Sequence, residues 1–159
     1  MLPRHQPMRR AIEPLLRPRL VYSRDDASGT GKRPDEPVRV LVVEDDYLVG
    51  AQMEEALREA GFAVVDVVST AEDAIGRARA RDVTLAVMDV RLAGRRDGVD
   101  AAIELFEQHG IRTIFATAHA DPEIRKRAQK AMPVGWLQKP YTMASLVAAV
   151  RDALKAKDN

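Results

Sequence analysis

Five short apolar, β-branched runs alternate with amphipathic helical patterns from Val38 to near the end of the chain. The runs are Val38–Val43, Ala63–Val68, Val83–Met88, Arg112–Ala116 and Val134–Gln138. Between them, Val49, Met53, Ala56, Leu57 and Ala60 share one helical face, as do Val99, Ala102, Ile103 and Phe106. In the last segment Leu146, Val147, Val150 and Leu154 do the same. Strand–helix alternation of this kind requires right-handed crossovers and a parallel sheet covered on both faces.

Punctuation supports these boundaries. Gly61 and Gly110 follow helical patterns, where glycine ends helices. Ser69-Thr70-Ala71-Glu72 reads as a capping box opening the second helix. Asp121-Pro122 couples an N-cap with proline at the first helical position, and Thr142 caps the last helix. At this length the pattern predicts an α/β, flavodoxin-like doubly wound fold, a five-stranded parallel sheet in the order 2-1-3-4-5.

The first 37 residues break the pattern. They hold Pro3, Pro7, Pro14, Pro18 and Pro34, the stretch Ala27-Ser28-Gly29-Thr30-Gly31, and eight basic against five acidic residues. Such composition predicts a flexible basic leader over 1–37, or an arm around Met8 to Leu16 that docks on a partner. A single domain then spans 38–157. The formal net charge of +1 gives no whole-chain field for nucleic acid or membrane. With no cysteine, disulfides and thiolate chemistry are excluded. No apolar stretch nears the roughly 20 residues of a spanning helix, so a cytoplasmic location is expected.

The chemistry lies at the strand exits. The first strand ends in Glu44, Asp45 and Asp46, the third in Asp89, the fourth in Thr117 and the fifth in Lys139. A parallel sheet gathers these ends at one edge, where such folds bind ligands. Asp46 is well placed as a helix cap, but two further acids at a buried strand's exit call for a cation. Magnesium takes one or two carboxylates with waters and phosphate oxygens. Asp89 is followed by a loop, and Asp97 stands where the next helix needs its cap, so Asp89 is a free carboxylate able to attack phosphorus. Lys139 precedes Pro140, which sets it in a loop beside that carboxylate. Alone, Thr117 reads as an ordinary strand residue and Trp136 as a packed aromatic. In this company Thr117 can donate to a phosphate oxygen and Trp136 can turn inward as Thr117 moves. His119 is expected at the rim.

These residues resemble the receiver domain of two-component response regulators. The resemblance runs from Val38 to about Ala156. It rests on Val42-Val43-Glu44-Asp45-Asp46, Val87-Met88-Asp89, Asp97-Gly98, Ala116-Thr117-Ala118 and Gln138-Lys139-Pro140-Tyr141. It implies Asp89 as phosphoacceptor and Glu44, Asp45 and Asp89 as the Mg2+ pocket, with the Arg91 backbone carbonyl as a further metal ligand. Thr117 is the switch hydroxyl, Lys139 the phosphate-pairing lysine and Trp136 the switch aromatic. The donor would be a histidine kinase or histidine phosphotransfer protein. The output would be a changed surface on the fourth helix, fifth strand and fifth helix, read by a downstream protein. The domain would signal rather than serve as an enzyme in metabolism, although it catalyses its own phosphorylation and dephosphorylation. No direct nucleic-acid contact is expected, and a homodimer through the last helices stays open. The chain ends at Asn159, which predicts a single-domain regulator.

Departures are the missing proline at Ala93, a loop one residue longer around Gly94-Arg95-Arg96, and Trp136 in place of the commoner Tyr or Phe. Three alternatives compete. A haloacid-dehalogenase-like phosphatase needs a second Asp where Arg91 stands. A flavin carrier would meet repulsion between these acids and the flavin phosphate. A receiver acting only as a binding module normally lacks the acceptor or the acids, all of which are present here, and a receiver acting as a phosphate sink remains the alternative.

Overall fold

The computed structural model describes residues 37–118 and 121–156. In chain order the elements are β1 (Arg39–Val43), α1 (Tyr47–Glu59), β2 (Ala63–Val68), α2 (Ala71–Ala80), β3 (Leu85–Asp89) and α3 (Gly98–His109). They continue with β4 (Arg112–Thr117), α4 (Pro122–Ala128), a single 3₁₀ turn (Gln129–Ala131), β5 (Gly135–Gln138) and α5 (Met143–Lys155). All strand pairs are parallel and the sheet order is β2-β1-β3-β4-β5, as the alternation predicts. The leader expected over 1–37 lies outside the described residues apart from Pro37, and so does His119.

Both faces of the sheet are buried, which is why its strands are continuous apolar runs rather than alternating ones. On one face Leu41, Val43, Met88 and Phe115 pack with Val99 and Leu105 of α3 and Ala74 and Ile75 of α2. On the other, Val42, Val87 and Ile114 pack with Met53 and Leu57 of α1 and Leu146 and Val150 of α5. The core is almost wholly aliphatic; Phe115 is its one fully buried aromatic among the described residues.

Strand ends shift by one or two residues in β1, β3, β4 and β5, and two differences from expectation have a visible cause. The third strand starts at Leu85, not Val83. The Val83 amide bonds to the Arg81 carbonyl at 3.0 Å, closing a turn that keeps Val83 out of the ladder. The second helix is capped one residue later than the expected box. Thr70 remains extended (φ −128°, ψ 157°) and bridges to Ala93, so it becomes the cap. Its hydroxyl accepts the Asp73 amide at 3.1 Å and donates to the Asp73 carboxylate at 2.8 Å. The other caps fall where expected: Asp46, Asp97, Asp121 and Thr142 each accept an amide from the first turn of their helix. Gly61 (φ +90°) and Gly110 (φ +66°) adopt the left-handed backbone that ends α1 and α3.

Candidate functional site

Parallel register brings the exits of β1, β3, β4 and β5 to one edge. Val43 pairs with Met88, Asp89 with Ala116, and Thr117 with Gln138, so the next residue of each strand meets its neighbours there. Glu44 and Asp89 are 4% and 7% exposed, an unusual depth for carboxylates. Buried charge is costly unless paired. Lys139 supplies the pair: its Nζ donates to Asp89 Oδ2 at 2.8 Å and to Glu44 Oε2 at 3.1 Å.

The remaining oxygens are held by backbone. The Asp46 amide donates to Glu44 Oε1 at 3.1 Å, and the Arg91 amide donates to Asp89 Oδ1 at 3.1 Å. Lys139 is fixed in turn by its own amide, which donates to the Thr117 carbonyl at 2.8 Å, and the Lys139–Pro140 peptide is cis. Thr117 is buried beside this bond at the end of β4. Asp45 is exposed at the mouth.

Electrostatics follow from this packing. Burial holds the Glu44 carboxyl above its ordinary range, against the lowering effect of its bonds to the Asp46 amide and Lys139. Burial alone would lower Lys139, but its bonds to Asp89 and Glu44 outweigh that, and it is pushed up to about 12. Burial also raises the nearby Tyr141 phenol, which reaches Met53 Sδ at 3.5 Å.

One carboxylate oxygen each from Glu44, Asp45 and Asp89 lie within 4.8 Å of one another. Three carboxylates against one ammonium leave an excess of two negative charges at the cluster. The donors are all hard oxygens, two of them buried. That set suits magnesium rather than a softer ion.

The structure thus brings together Glu44, Asp45, Asp89, Thr117 and Lys139. Trp136 sits farther along β5, half-buried. Its ring centroid is 4.9 Å from that of Phe115, and the Arg125 guanidinium lies over the ring, 4.5 Å from its centroid. Three features were not foreseen from sequence. Arg125 covers Trp136. Arg127, although exposed, pairs with Asp97 and approaches Asp100 at 3.9 Å. Gly98 packs on the acceptor strand: a Cβ there would collide with the Asp89 carbonyl oxygen and come within 2.9 Å of Met88 Cγ. Its amide also donates to the Val90 carbonyl at 2.9 Å. Gly98→Ala is therefore expected to overpack the loop and cost about 3 kcal/mol, at the upper end for a small-to-large change. Urea unfolding of the variant checks this; a cost below about 1 kcal/mol would mean the loop yields freely.

A doubly wound sheet with an acidic cluster and one lysine at its strand exits defines a CheY-like receiver. The chain belongs to the response regulator receiver domain family, whose model matches residues 40–151. It is 32% identical over 118 residues to the transcriptional regulatory protein PdtaR of Mycobacterium tuberculosis, covering 74% of this chain and 57% of that protein. It therefore spans little more than half the length of that relative. The chemotaxis protein CheY of Halobacterium salinarum is 30% identical over 119 residues, with 74% of this chain and 98% of CheY covered. Among solved structures, the signal receiver domain of a modulated diguanylate cyclase from Desulfovibrio desulfuricans superposes with a TM-score of 0.71 at 31% identity, covering 77% of this chain and 98% of that one. No helix among the described residues is long and apolar enough to cross a membrane.

Proposed function

We propose that this chain is a response regulator that accepts a phosphoryl group on Asp89 from the phosphohistidine of a histidine kinase or histidine phosphotransfer protein. The observation that carries the reading is a buried carboxylate held by one lysine, with two more acids alongside. Asp89 is the nucleophile. Its oxygen forms the bond to phosphorus as the bond from phosphorus to the donor imidazole breaks, and the imidazole leaves with that electron pair. Lys139 lies against the acceptor oxygen and stays charged well above neutral pH, so it can follow a transferred phosphoryl oxygen. Thr117, at the neighbouring strand end, offers its hydroxyl to another.

Glu44, Asp45 and Asp89 would hold Mg2+, with the Arg91 carbonyl as a further ligand. Bound there, the ion supplies charge neutralisation for the transferring group. The receiver domain occupies 38–157, with 1–37 as a leader dispensable for this chemistry. The output is a change at the α4–β5–α5 face, with Thr117 and Trp136 as the moving parts and a downstream protein as the reader; the chain itself works in the cytoplasm. A receiver that serves only as a phosphate sink is the second reading. It is favoured by the Arg125 guanidinium packed over Trp136, which must be displaced or carried along before the ring can turn.

The test is incubation with acetyl phosphate, with magnesium or with chelator. Intact mass should rise by one phosphoryl group only with the metal, and hydroxylamine should remove it. Absence of the adduct under both conditions would reject the proposal.

A further inference from the structure

The helix α4 has seven residues, Pro122–Ala128, too few to be stable alone. It buries Ala128 fully and Ile124 in part. Long side chains supply its other attachments. Arg125 reaches Trp136 on β5. Arg127 reaches back to Asp97, which already caps α3 by accepting the Asp100 amide at 3.0 Å with its other oxygen. The hydrogen bond to Asp97 holds the Arg127 guanidinium above its ordinary pKa. The residue after Asp97 is Gly98, whose backbone lies against the carbonyl of Asp89 itself. Asp89, Gly98, Asp97 and Arg127 therefore form an unbroken line from the acceptor strand to α4.

An exposed ion pair is ordinarily worth little, because two mobile side chains must be ordered. Here Asp97 is already ordered by its cap, and a second carboxylate, Asp100, stands 3.9 Å from the same guanidinium. A displacement of the Asp89 loop then changes the anchorage of α4 directly.

We infer that Arg127 is a positioning residue that ties α4 to the Asp89 loop through Asp97, so that α4 follows the state of the acceptor. The inference rests on Asp89 being the phosphoacceptor proposed above. Its test compares amide exchange of the whole chain with and without magnesium and beryllofluoride, a phosphoryl mimic, in the parent, Arg127→Met and Arg127→Lys. In the parent, exchange should change over both 89–98 and 121–132. Arg127→Met should keep the response at 89–98 and lose it at 121–132, and Arg127→Lys should restore part of it. Asp97→Asn, which still caps α3, should behave as Arg127→Met does, and the double variant should be no worse than either single one. A response at 121–132 that survives in Arg127→Met overturns the inference. So does loss of both responses, since Arg127 would then be supporting the site rather than conveying its state. A parent in which neither segment responds overturns the acceptor assignment instead.

Discussion

Asp89→Asn should take up no phosphoryl group from acetyl phosphate under conditions that label the parent, while Asp97→Asn labels normally. The expected effect is total, because an amide oxygen is no nucleophile at phosphorus and the other acids around the edge, Asp45 excepted, are already held by partners. Glu44 is clamped at both oxygens, by Lys139 and by the Asp46 amide. Asp46 caps α1 through the Leu48 and Val49 amides. Asp97 caps α3 and holds Arg127. The substitution should also leave the fold intact. Asparagine is nearly isosteric, its oxygen can still accept the Arg91 amide, and Lys139 retains Glu44 as its partner. Mass spectrometry after acetyl phosphate treatment checks the first point and thermal unfolding the second. Label retained in Asp89→Asn would move the acceptor elsewhere, with exposed Asp45 the next candidate.

The edge that carries this chemistry was legible in the sequence because burial on both faces of a parallel sheet leaves a simple signature. Val40–Val43 and Leu85–Met88 are unbroken apolar runs, and polar residues begin where each strand leaves the core. Glu44 and Asp89 could be placed from that rule alone, whereas Thr117 and Lys139 needed the company of those acids. The start of β3 could not, since Val83 is as apolar and β-branched as any strand residue. Only its hydrogen bond to Arg81 sets it in a turn. The cap of α2 failed for a related reason. Ser69 and Thr70 are chemically alike, and the bridge between Thr70 and Ala93 decides which is the last extended residue. Arg125 and Arg127 show the larger limit. Their neighbours in sequence make a basic, solvated helix the natural reading. Their partners, Trp136 and Asp97, lie 11 and 30 residues away along the chain, where local spacing carries no information.

Glu44→Gln should stabilise the protein in chelator yet weaken its response to magnesium. Burial raises the Glu44 pKa above 4.5, so the folded state prefers the protonated form more than the unfolded chain does. The sign follows. Stability associated with this group is fully present below about pH 4.5 and is lost as pH rises through the higher folded value. At neutral pH the charged carboxylate is a net cost to folding despite Lys139. Glutamine removes that cost, and its amide oxygen can still accept from the Asp46 amide or from Lys139. The variant should therefore melt higher than the parent at pH 7 in chelator, and its melting temperature should vary less over the acid range. Magnesium should reverse the advantage. A ligand that binds only the folded state stabilises it by about 2.7 kcal/mol at a hundred times its Kd. The parent, with three carboxylates at the pocket against the variant's two, should gain more than the variant at every concentration. Thermal unfolding across a magnesium titration reads both halves together. Equal gains in the two proteins would remove Glu44 from the metal pocket, and a lower melting point for the variant in chelator would mean that its pairing with Lys139 outweighs its burial.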